Sequence, residues 1–305
     1  MRVTRLSNAG AAEITDLDCS RSLDQSAKKR LWNVFLENPI LCLRDQHLSP
    51  AQQAVFTRQF GALEAQDRSP FTHPDDPDVL ILSNEIRPDG TAVGIVDAGD
   101  YWHSDSSHHV EPCQATVLYS VRNPPRGGDT EFCNMQQVYE ALPDDLKRAV
   151  EGRHGLHHVS KTKNPRTRVS PDRPGAKDYY EARAKETETV SQPLVRTHPE
   201  TGQQALYVSP RFTIGIADMP DADAQALLDR LFAFFVKDRR FQYRHKWKDG
   251  DLVMWDNRSL NHRAVGGYGL PDIRCMHRTT IAGDKPFYRP AVVPYENWAK
   301  RAAEW

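Results

Sequence analysis

The segment WHSD places His103 and Asp105 two positions apart in the chain. In an extended segment, residues i and i+2 point to the same side, so these two side chains are predicted to project together. Two histidines and one carboxylate form the facial triad that binds Fe(II) and leaves coordination positions open. His262 follows an apolar strand and a turn, and is the candidate for the third ligand. A His-x-Asp pair also occurs by chance, so a surface loop is an equal alternative for these residues.

Other histidines compete for the role of metal ligand, and a zinc site built from three histidines, or from two and a carboxylate, is an alternative. His108 and His109 follow the first pair closely, and three more lie in the segment EGRHGLHHV, which is residues 151–159. The chain has no His-Glu-x-x-His motif that would specify a zinc site. If this segment is a strand, His157 and His158 point to opposite faces, so at most one can join a site. We predict that the histidines of this segment are packing or surface residues.

Two arginines near the C-terminus, Arg274 and Arg278, lie in the predicted strand IRCMHRTTIAG. Both have even numbers, so both are expected on one face of that strand. A buried guanidinium without an anion is very costly, and the planar fork of arginine can bind a carboxylate through two hydrogen bonds. This face therefore predicts anionic partners. The spacing alone favours internal salt bridges with Asp251 or Asp256 over the binding of a ligand.

The elements that must position these residues are predicted to be mainly β with flanking helices. Short β runs dominate from Val79 onward and alternate with turn sequences such as PPRGGD and KDGD. The N-terminal part is predicted as helix, strand and helix, with Ser49 capping the second helix and Pro50 at its first position. The predicted helices cover residues 26–38, 49–61, 136–153 and 221–238. Many short strands with such turns are typical of a sandwich or jelly roll.

Residues 161–188 differ from the rest of the chain, because they are polar, rich in Pro, Lys and Arg, and nearly free of aliphatic residues. They have two interpretations of equal weight. One is a solvated insertion; the other is a lid over a pocket, since long loops in compact domains are often lids or disordered.

The composition limits the classes of function. The 305 residues carry 40 Lys plus Arg and 41 Asp plus Glu, so no nucleic-acid partner is expected. The longest apolar runs are far shorter than the ~18 residues that a membrane span needs, and the N-terminus has no apolar stretch of signal-peptide length. Five cysteines without a Cys-x-x-Cys pair argue against a disulfide scaffold or a thiolate zinc site. We therefore expect a cytoplasmic globular protein that binds neither nucleic acid nor a membrane.

Several motifs, taken in order along the chain, resemble the taurine/2,4-D dioxygenase group of Fe(II)/2-oxoglutarate-dependent oxygenases. They include WHSDSS, PPRGGDTEF, GDLVMWDNRSLNHRA and IRCMHRTTIAGDKPFYR, and the resemblance covers nearly the whole chain. It implies a double-stranded β-helix (a cupin-like jelly roll) forming one domain over residues 1–305. It also implies Fe(2+) as cofactor, 2-oxoglutarate and O₂ as cosubstrates, and hydroxylation of a small organic anion with release of succinate and CO₂. We further expect a homo-oligomer.

The resemblance implies roles for individual residues. The family's iron ligands are matched by His103, Asp105 and His262. Thr130 matches a hydroxyl that hydrogen-bonds the 2-oxoglutarate carboxylate, and Arg274 matches the arginine that pairs with the distal carboxylate of that cosubstrate. Arg278 matches the position that holds the substrate's sulfonate in the taurine enzyme.

Two positions depart from the taurine enzyme: Gln66 replaces a histidine, and Gly99 replaces an asparagine four residues before the first iron ligand. The loss of these contacts implies a substrate other than taurine, with a bulkier or less polar tail and an anionic group anchored by Arg278. Carboxylates, aryloxyalkanoates, sulfonates and sulfate esters are the candidates. Two other classes remain open: a redox-neutral metal-dependent hydrolase, and a non-catalytic anion-binding protein of the same fold.

Overall fold

The computed structural model describes residues 1–64, 71–96, 98–169 and 176–290. Within these ranges the chain forms sixteen strands. They are β1 Arg2–Ser7, β2 Ala11–Thr15, β3 Ile40–Leu43, β4 Thr72–His73, β5 Asp76–Ser83, β6 Ala115–Arg122, β7 Thr130–Asn134, β8 His154–His157, β9 Val190–Pro193, β10 Val195–Thr197, β11 Gln204–Leu206, β12 Thr213–Ile216, β13 Gln242–His245, β14 Leu252–Asp256, β15 Leu260–Ala264 and β16 Cys275–Ile281. The described residues are thus mainly β, as predicted.

The largest sheet has eight strands in the order β1-β2-β3-β14-β6-β16-β5-β4, and three-stranded sheets have the orders β13-β7-β15 and β12-β8-β9. Strands β10 and β11 form a separate pair. Leu118 and Met276 of the large sheet share one buried apolar cluster with Phe132 and Leu260 of the β13-β7-β15 sheet. These two sheets therefore face each other across a common core, which is how a jelly roll is built.

Helices flank this β core on both sides. The α-helices are α1 Gln25–Glu37, α2 Pro50–Arg58, α3 Met135–Ala141, α4 Asp144–Val150, α5 Ala176–Glu186 and α6 Asp221–Val236. Phe35 of α1 and Phe56 of α2 pack with residues of the large sheet, whereas Leu228 and Phe235 of α6 pack with Val138 of α3. The predicted cap of α2 is confirmed, because Ser49 forms a reciprocal capping box with Gln52.

The sequence-based predictions fail at two places in the N-terminal half. The hairpin of β1 and β2 was not predicted, because β1 is mostly exposed and its two apolar residues, Val3 and Leu6, do not alternate with polar ones in the strand pattern. The helix predicted over 136–153 is two helices, α3 and α4, with Pro143 at the N-cap of α4. Proline lacks the N–H that a continuous helix would need at this position.

Residues 161–188 make specific contacts with the chain that leads to His103. Lys161 is buried, its ammonium lies 2.5 Å from a carboxylate oxygen of Asp100, and it also lies over the rings of Tyr101 and Tyr180. This part of the segment is therefore not a solvated insertion. A lid function for the segment stays a prediction, and residues 170–175 lie outside the described residues.

No helix in the described ranges combines the length and the apolar character needed to cross a membrane.

The five cysteines are all free thiols, four of them buried.

Candidate active site

The structure brings His103, Asp105 and His262 together in one buried group, here called the open cluster. Their ligand atoms all lie within 4.8 Å of one another. Nε2 of His103 is 3.5 Å from Oδ1 of Asp105, and Nε2 of His262 is 3.7 Å from Oδ2. These separations exceed ordinary hydrogen bonds, whereas an ion bound at about 2 Å from each ligand atom would bridge them.

Backbone pairing sets the distance between the two histidines. The N–H of each donates to the C=O of the other, at 2.9 and 2.7 Å, in an isolated β-bridge between the segment before Asp105 and strand β15. Nδ1 of His103 lies 2.7 Å from the carbonyl oxygen of Tyr101. Because a carbonyl only accepts, Nδ1 carries the proton and Nε2 presents its lone pair to the cluster. The His262 ring is instead held by packing against Trp255 and Phe132.

The protonation states of the open cluster suit a cation. Burial and the adjacent His103 lower the pKa of His262 to about 3, so its imidazole is neutral at neutral pH. Burial opposes ionisation of Asp105, but the charged surroundings, which include the guanidinium of Arg278 at 3.6 Å, outweigh it and hold the pKa of Asp105 well below its usual range. Two imidazoles and one carboxylate on one side of a site are the donor set that suits Fe(II), so the residues fit this metal.

A second buried triplet of possible ligands, here called the closed cluster, consists of Cys42, His245 and Asp251. Its carboxylate is already occupied: Oδ2 of Asp251 accepts hydrogen bonds from Arg44 at 2.6 Å, His245 at 3.1 Å and the backbone N–H of Lys248 at 2.9 Å. A guanidinium this close repels a cation. The closed cluster is therefore structural.

Thr130 and Arg274 lie on the strands and loops around the open cluster. Thr130 is buried on β7 opposite Ala264, and its Oγ1 accepts from Nε1 of Trp247 at 3.0 Å, which leaves the hydroxyl proton available for another acceptor. Arg274 lies one residue before β16, and its Nε donates to the carbonyl of Gly128 at 2.9 Å. It also lines a cavity of about 240 Å³ together with Ala264 and several apolar residues. Within the described ranges Arg274 has no ion pair.

Arg278 lies at the open cluster itself. Its Nη1 is 3.6 Å from Oδ1 of Asp105, and its Nε is buried without a hydrogen-bond partner in the part of the chain that the structure describes. The internal salt bridges that the spacing favoured are wrong for both Arg274 and Arg278. Asp251 pairs with Arg44, as above, and Asp256 accepts hydrogen bonds from Arg258, which follows it in the same turn.

The remaining histidines mostly serve packing. His157 is buried between Oγ of Ser107 and Oγ1 of Thr213, at 3.1 and 3.2 Å, and His158 is buried against the carbonyl of Thr187. His154, at the start of β8, is exposed. In the described part of the chain none of them joins a group of three potential ligands.

Around the open cluster, Gly99 lies directly against a ligand ring, at a position that favours glycine. Its φ is +80°, and a Cβ built on it would lie 3.3 Å from Cε1 of His103 and 3.6 Å from Cβ of Ala264. Gln66, the other departure from the taurine enzyme, lies outside the described residues.

Two functional residues were missed by the sequence reasoning, Thr116 and Asn257. Oγ1 of Thr116 donates to Oδ2 of Asp105 at 2.7 Å, and Asn257 holds Thr116 in turn. Asn257 lies within the motif WDNR, but that motif gave no indication of its partners.

Comparisons with known proteins agree with this geometry. Residues 2–280 match the family described as "Taurine catabolism dioxygenase TauD, TfdA family". An alpha-ketoglutarate-dependent 2,4-dichlorophenoxyacetate dioxygenase of Cupriavidus pinatubonensis is 34% identical over 283 residues, which cover 90% of this chain and 95% of that protein. An (S)-phenoxypropionate/alpha-ketoglutarate-dioxygenase of Sphingobium herbicidovorans is 32% identical over 284 residues, or 89% of this chain and 90% of that protein. The crystal structure of a taurine dioxygenase from Burkholderia xenovorans superposes with a TM-score of 0.76 at 31% identity, covering 93% of this chain and 90% of that one. The likeness in structure confirms the predicted jelly roll.

Proposed function

The chain belongs to the TauD, TfdA family of dioxygenases, and from this premise we propose that it hydroxylates a small organic anion with Fe(II), 2-oxoglutarate and O₂. One oxygen atom of O₂ enters a C–H bond of the substrate, and the other enters 2-oxoglutarate, which loses CO₂ and leaves as succinate. The bound iron supplies the oxidising chemistry. The protein holds the metal, orients the two carbon compounds and keeps one side of the metal accessible.

Each part of this proposal has its own residues. The open cluster would hold Fe(II). Arg274 would pair with the distal carboxylate of 2-oxoglutarate, since its guanidinium faces a cavity and has no ion pair in the described ranges. Thr130 would donate the proton that its contact with Trp247 leaves available.

The observation that carries the substrate class is the guanidinium of Arg278. It lies 3.6 Å from Asp105 with its Nε buried and without a partner in the described part of the chain. The only carboxylate near Arg278 in the described ranges is that of Asp105, a proposed metal ligand, so a neutral or cationic substrate would give the guanidinium no further anionic partner, whereas a carboxylate, sulfonate or sulfate would pair with it. The substrate is therefore an anion whose reactive carbon lies between Arg278 and the metal.

The tail of the substrate is bulkier or less polar than that of taurine. Gly99 presents no side chain beside the ring of His103, where the taurine enzyme has an amide. Two relatives named for phenoxyalkanoate substrates are similar to nearly the whole chain. These observations support an aryloxyalkanoate, or an alkyl sulfate or sulfonate, as the substrate.

The test measures succinate release by the Fe(II)-loaded enzyme with a panel of taurine, alkylsulfonates, alkyl sulfates and aryloxyacetates. We expect at least one aryl or alkyl anion to exceed taurine by about tenfold or more in kcat/KM, the loss expected for one or two missing polar contacts. Taurine as the best substrate would contradict the tail assignment. A preference for an uncharged substrate would contradict the role of Arg278.

The same assay separates the dioxygenase from a hydrolase with the same ligands. Removal of O₂ should abolish product formation, because oxygen is a reactant. A hydrolase would turn over without O₂ or 2-oxoglutarate, and a binding protein would release no succinate under any condition.

A further inference from the structure

Behind the open cluster, a buried pair of polar residues faces the carboxylate of Asp105. Thr116 is the second residue of β6, opposite Trp255 of β14, and Asn257 is the first residue after β14. Both side chains have no measurable exposure to solvent. The pairing of β6 with β14 therefore brings Thr116 and Asn257 together directly beneath the ligand.

The hydrogen bonds fix the orientation of the Asn257 amide. Its Oδ1 accepts from Nε1 of Trp255 at 3.0 Å and from the backbone N–H of Asp105 at 3.3 Å. Since both of these groups can only donate, the oxygen must face them. The amide nitrogen then faces Thr116 and donates to its Oγ1 at 2.9 Å.

This orientation also fixes the hydroxyl proton of Thr116. A hydroxyl that accepts from Asn257 has its one proton left for another partner, and Oδ2 of Asp105 lies 2.7 Å away. Among the described residues the second oxygen, Oδ1, receives no such bond; it lies 3.5 Å from Nε2 of His103 and 3.6 Å from Nη1 of Arg278. The two carboxylate oxygens thus have different environments, set by a chain of directed hydrogen bonds.

We propose that Thr116, oriented by Asn257, is a positioning residue that prevents the carboxylate of Asp105 from rotating, so that it offers the metal a single oxygen. Binding through one oxygen leaves one more coordination position for the cosubstrate and O₂ than binding through both. Residues that orient a metal ligand in this way typically contribute 10–100-fold to metal affinity. The inference rests on the proposed function, because it requires that the open cluster binds a metal.

The experiment compares Co²⁺ binding to the apoprotein by visible absorption titration, which reports both the affinity and the coordination of the ion. Thr116→Val keeps the shape of the side chain and removes the hydroxyl; it should weaken Co²⁺ binding by about 10–100-fold and change the absorption spectrum of the bound ion. Thr116→Ser restores the hydroxyl and should restore both the affinity and the spectrum.

Thr279→Val is the matched control. Thr279 is equally buried, on the neighbouring strand β16, and bonds Thr57 rather than a metal ligand. It should leave Co²⁺ binding unchanged. If Thr116→Val binds Co²⁺ with the affinity and spectrum of the wild type, the role of Thr116 is wrong, while the proposed function is unaffected. The same holds if Thr279→Val loses as much Co²⁺ affinity as Thr116→Val. A wild-type protein that binds no Co²⁺ would instead overturn the proposed function, and this inference with it.

Discussion

The open and closed clusters contain similar residue types at similar distances, but their carboxylates have different partners. Both are buried, and in both the ligand atoms lie within 4.8 Å of one another. In the closed cluster, three hydrogen-bond donors converge on one carboxylate oxygen, Oδ2 of Asp251. In the open cluster, the nearest imidazole nitrogens are 3.5 and 3.7 Å from the carboxylate oxygens. Oδ2 of Asp251 accepts three hydrogen bonds, one of them from a guanidinium, whereas Oδ2 of Asp105 accepts one, from Thr116, and the nearest guanidinium, that of Arg278, stays 3.6 Å from Oδ1. Composition alone therefore does not identify a metal site.

The arginines near the two clusters also differ in their partners within the protein. Arg44 bonds two carboxylates, those of Glu13 and Asp251, at 2.8 and 2.6 Å. Arg274 bonds a backbone carbonyl, and Arg278 only approaches Asp105 at 3.6 Å. One guanidinium is neutralised inside the protein, whereas the other two can bind an anionic ligand.

The largest effect should come from removing a ligand of the open cluster. His103→Ala or His262→Ala should abolish Fe(II)-dependent turnover and lower metal binding below detection, because two remaining ligands hold the ion poorly. Metal content after dialysis and succinate release are the measurements. Cys42→Ser, in the closed cluster, is the control and should retain full metal content. Near-normal turnover by either histidine variant would refute the assignment of that ligand.

Arg274→Ala should have the next largest effect. The loss of a charged pair in a closed pocket costs roughly 2–5 kcal/mol, or ~30-fold to several-thousand-fold in affinity. The KM for 2-oxoglutarate should therefore rise far more than the KM for the substrate. Arg278→Ala should give the opposite pattern. If Arg274→Ala changes mainly the KM for the substrate, the two arginines have been assigned the wrong way round.

A smaller effect is expected from His245 of the closed cluster, which should lower the free energy of unfolding at acidic pH. Burial lowers the pKa of His245 below the value of about 6.5 that it has in the unfolded chain, despite its bond to Asp251. Below about pH 6.5 the unfolded state binds more protons than the folded state. The free energy of unfolding therefore falls as the pH falls, by up to about 1.4 kcal/mol per pH unit. The loss continues until the pH reaches the pKa of the folded state.

His245→Gln keeps a donor to Asp251 but cannot be protonated, so it should flatten this slope. Urea unfolding of the metal-free protein at several pH values above and below about 6.5 measures how the free energy of unfolding changes with pH. The same substitution at exposed His154 is the control for the loss of one imidazole. A slope equal to that of the wild type would show that His245 does not contribute to the acid sensitivity.

Local patterns predicted those parts of the fold that local forces determine. Ser49 and Pro50 identify the start of α2 because a capping box needs only four consecutive residues. His103 and Asp105 point to one side because alternation is a property of the extended chain. The break between α3 and α4 at Pro143 could also have been predicted, because proline disrupts a helix. It was missed because the apolar residues on either side follow one helical periodicity.

Features that depend on distant pairing could not be predicted. The alternation argument for Arg274 and Arg278 assumed one regular strand, whereas the register shifts between Cys275 and Met276, and Arg274 precedes β16. Nothing in the sequence tells the closed cluster from the open one, because the difference depends on Arg44, which is far from Asp251 in the chain. Thr116 was missed for the same reason, since its partner Asn257 lies in another strand connection.

The backbone bridge between His103 and His262 fixes the distance between these two ligands directly. That distance therefore does not depend on the length of the sequence that separates them. Surface segments in that interval that do not contact the chain around the ligands can vary in length without moving the metal ligands, provided that Lys161, which contacts Asp100 and Tyr101, is kept. Loop grafting between related enzymes is therefore a practical route to a new substrate range, since the iron chemistry would be inherited unchanged by each chimera.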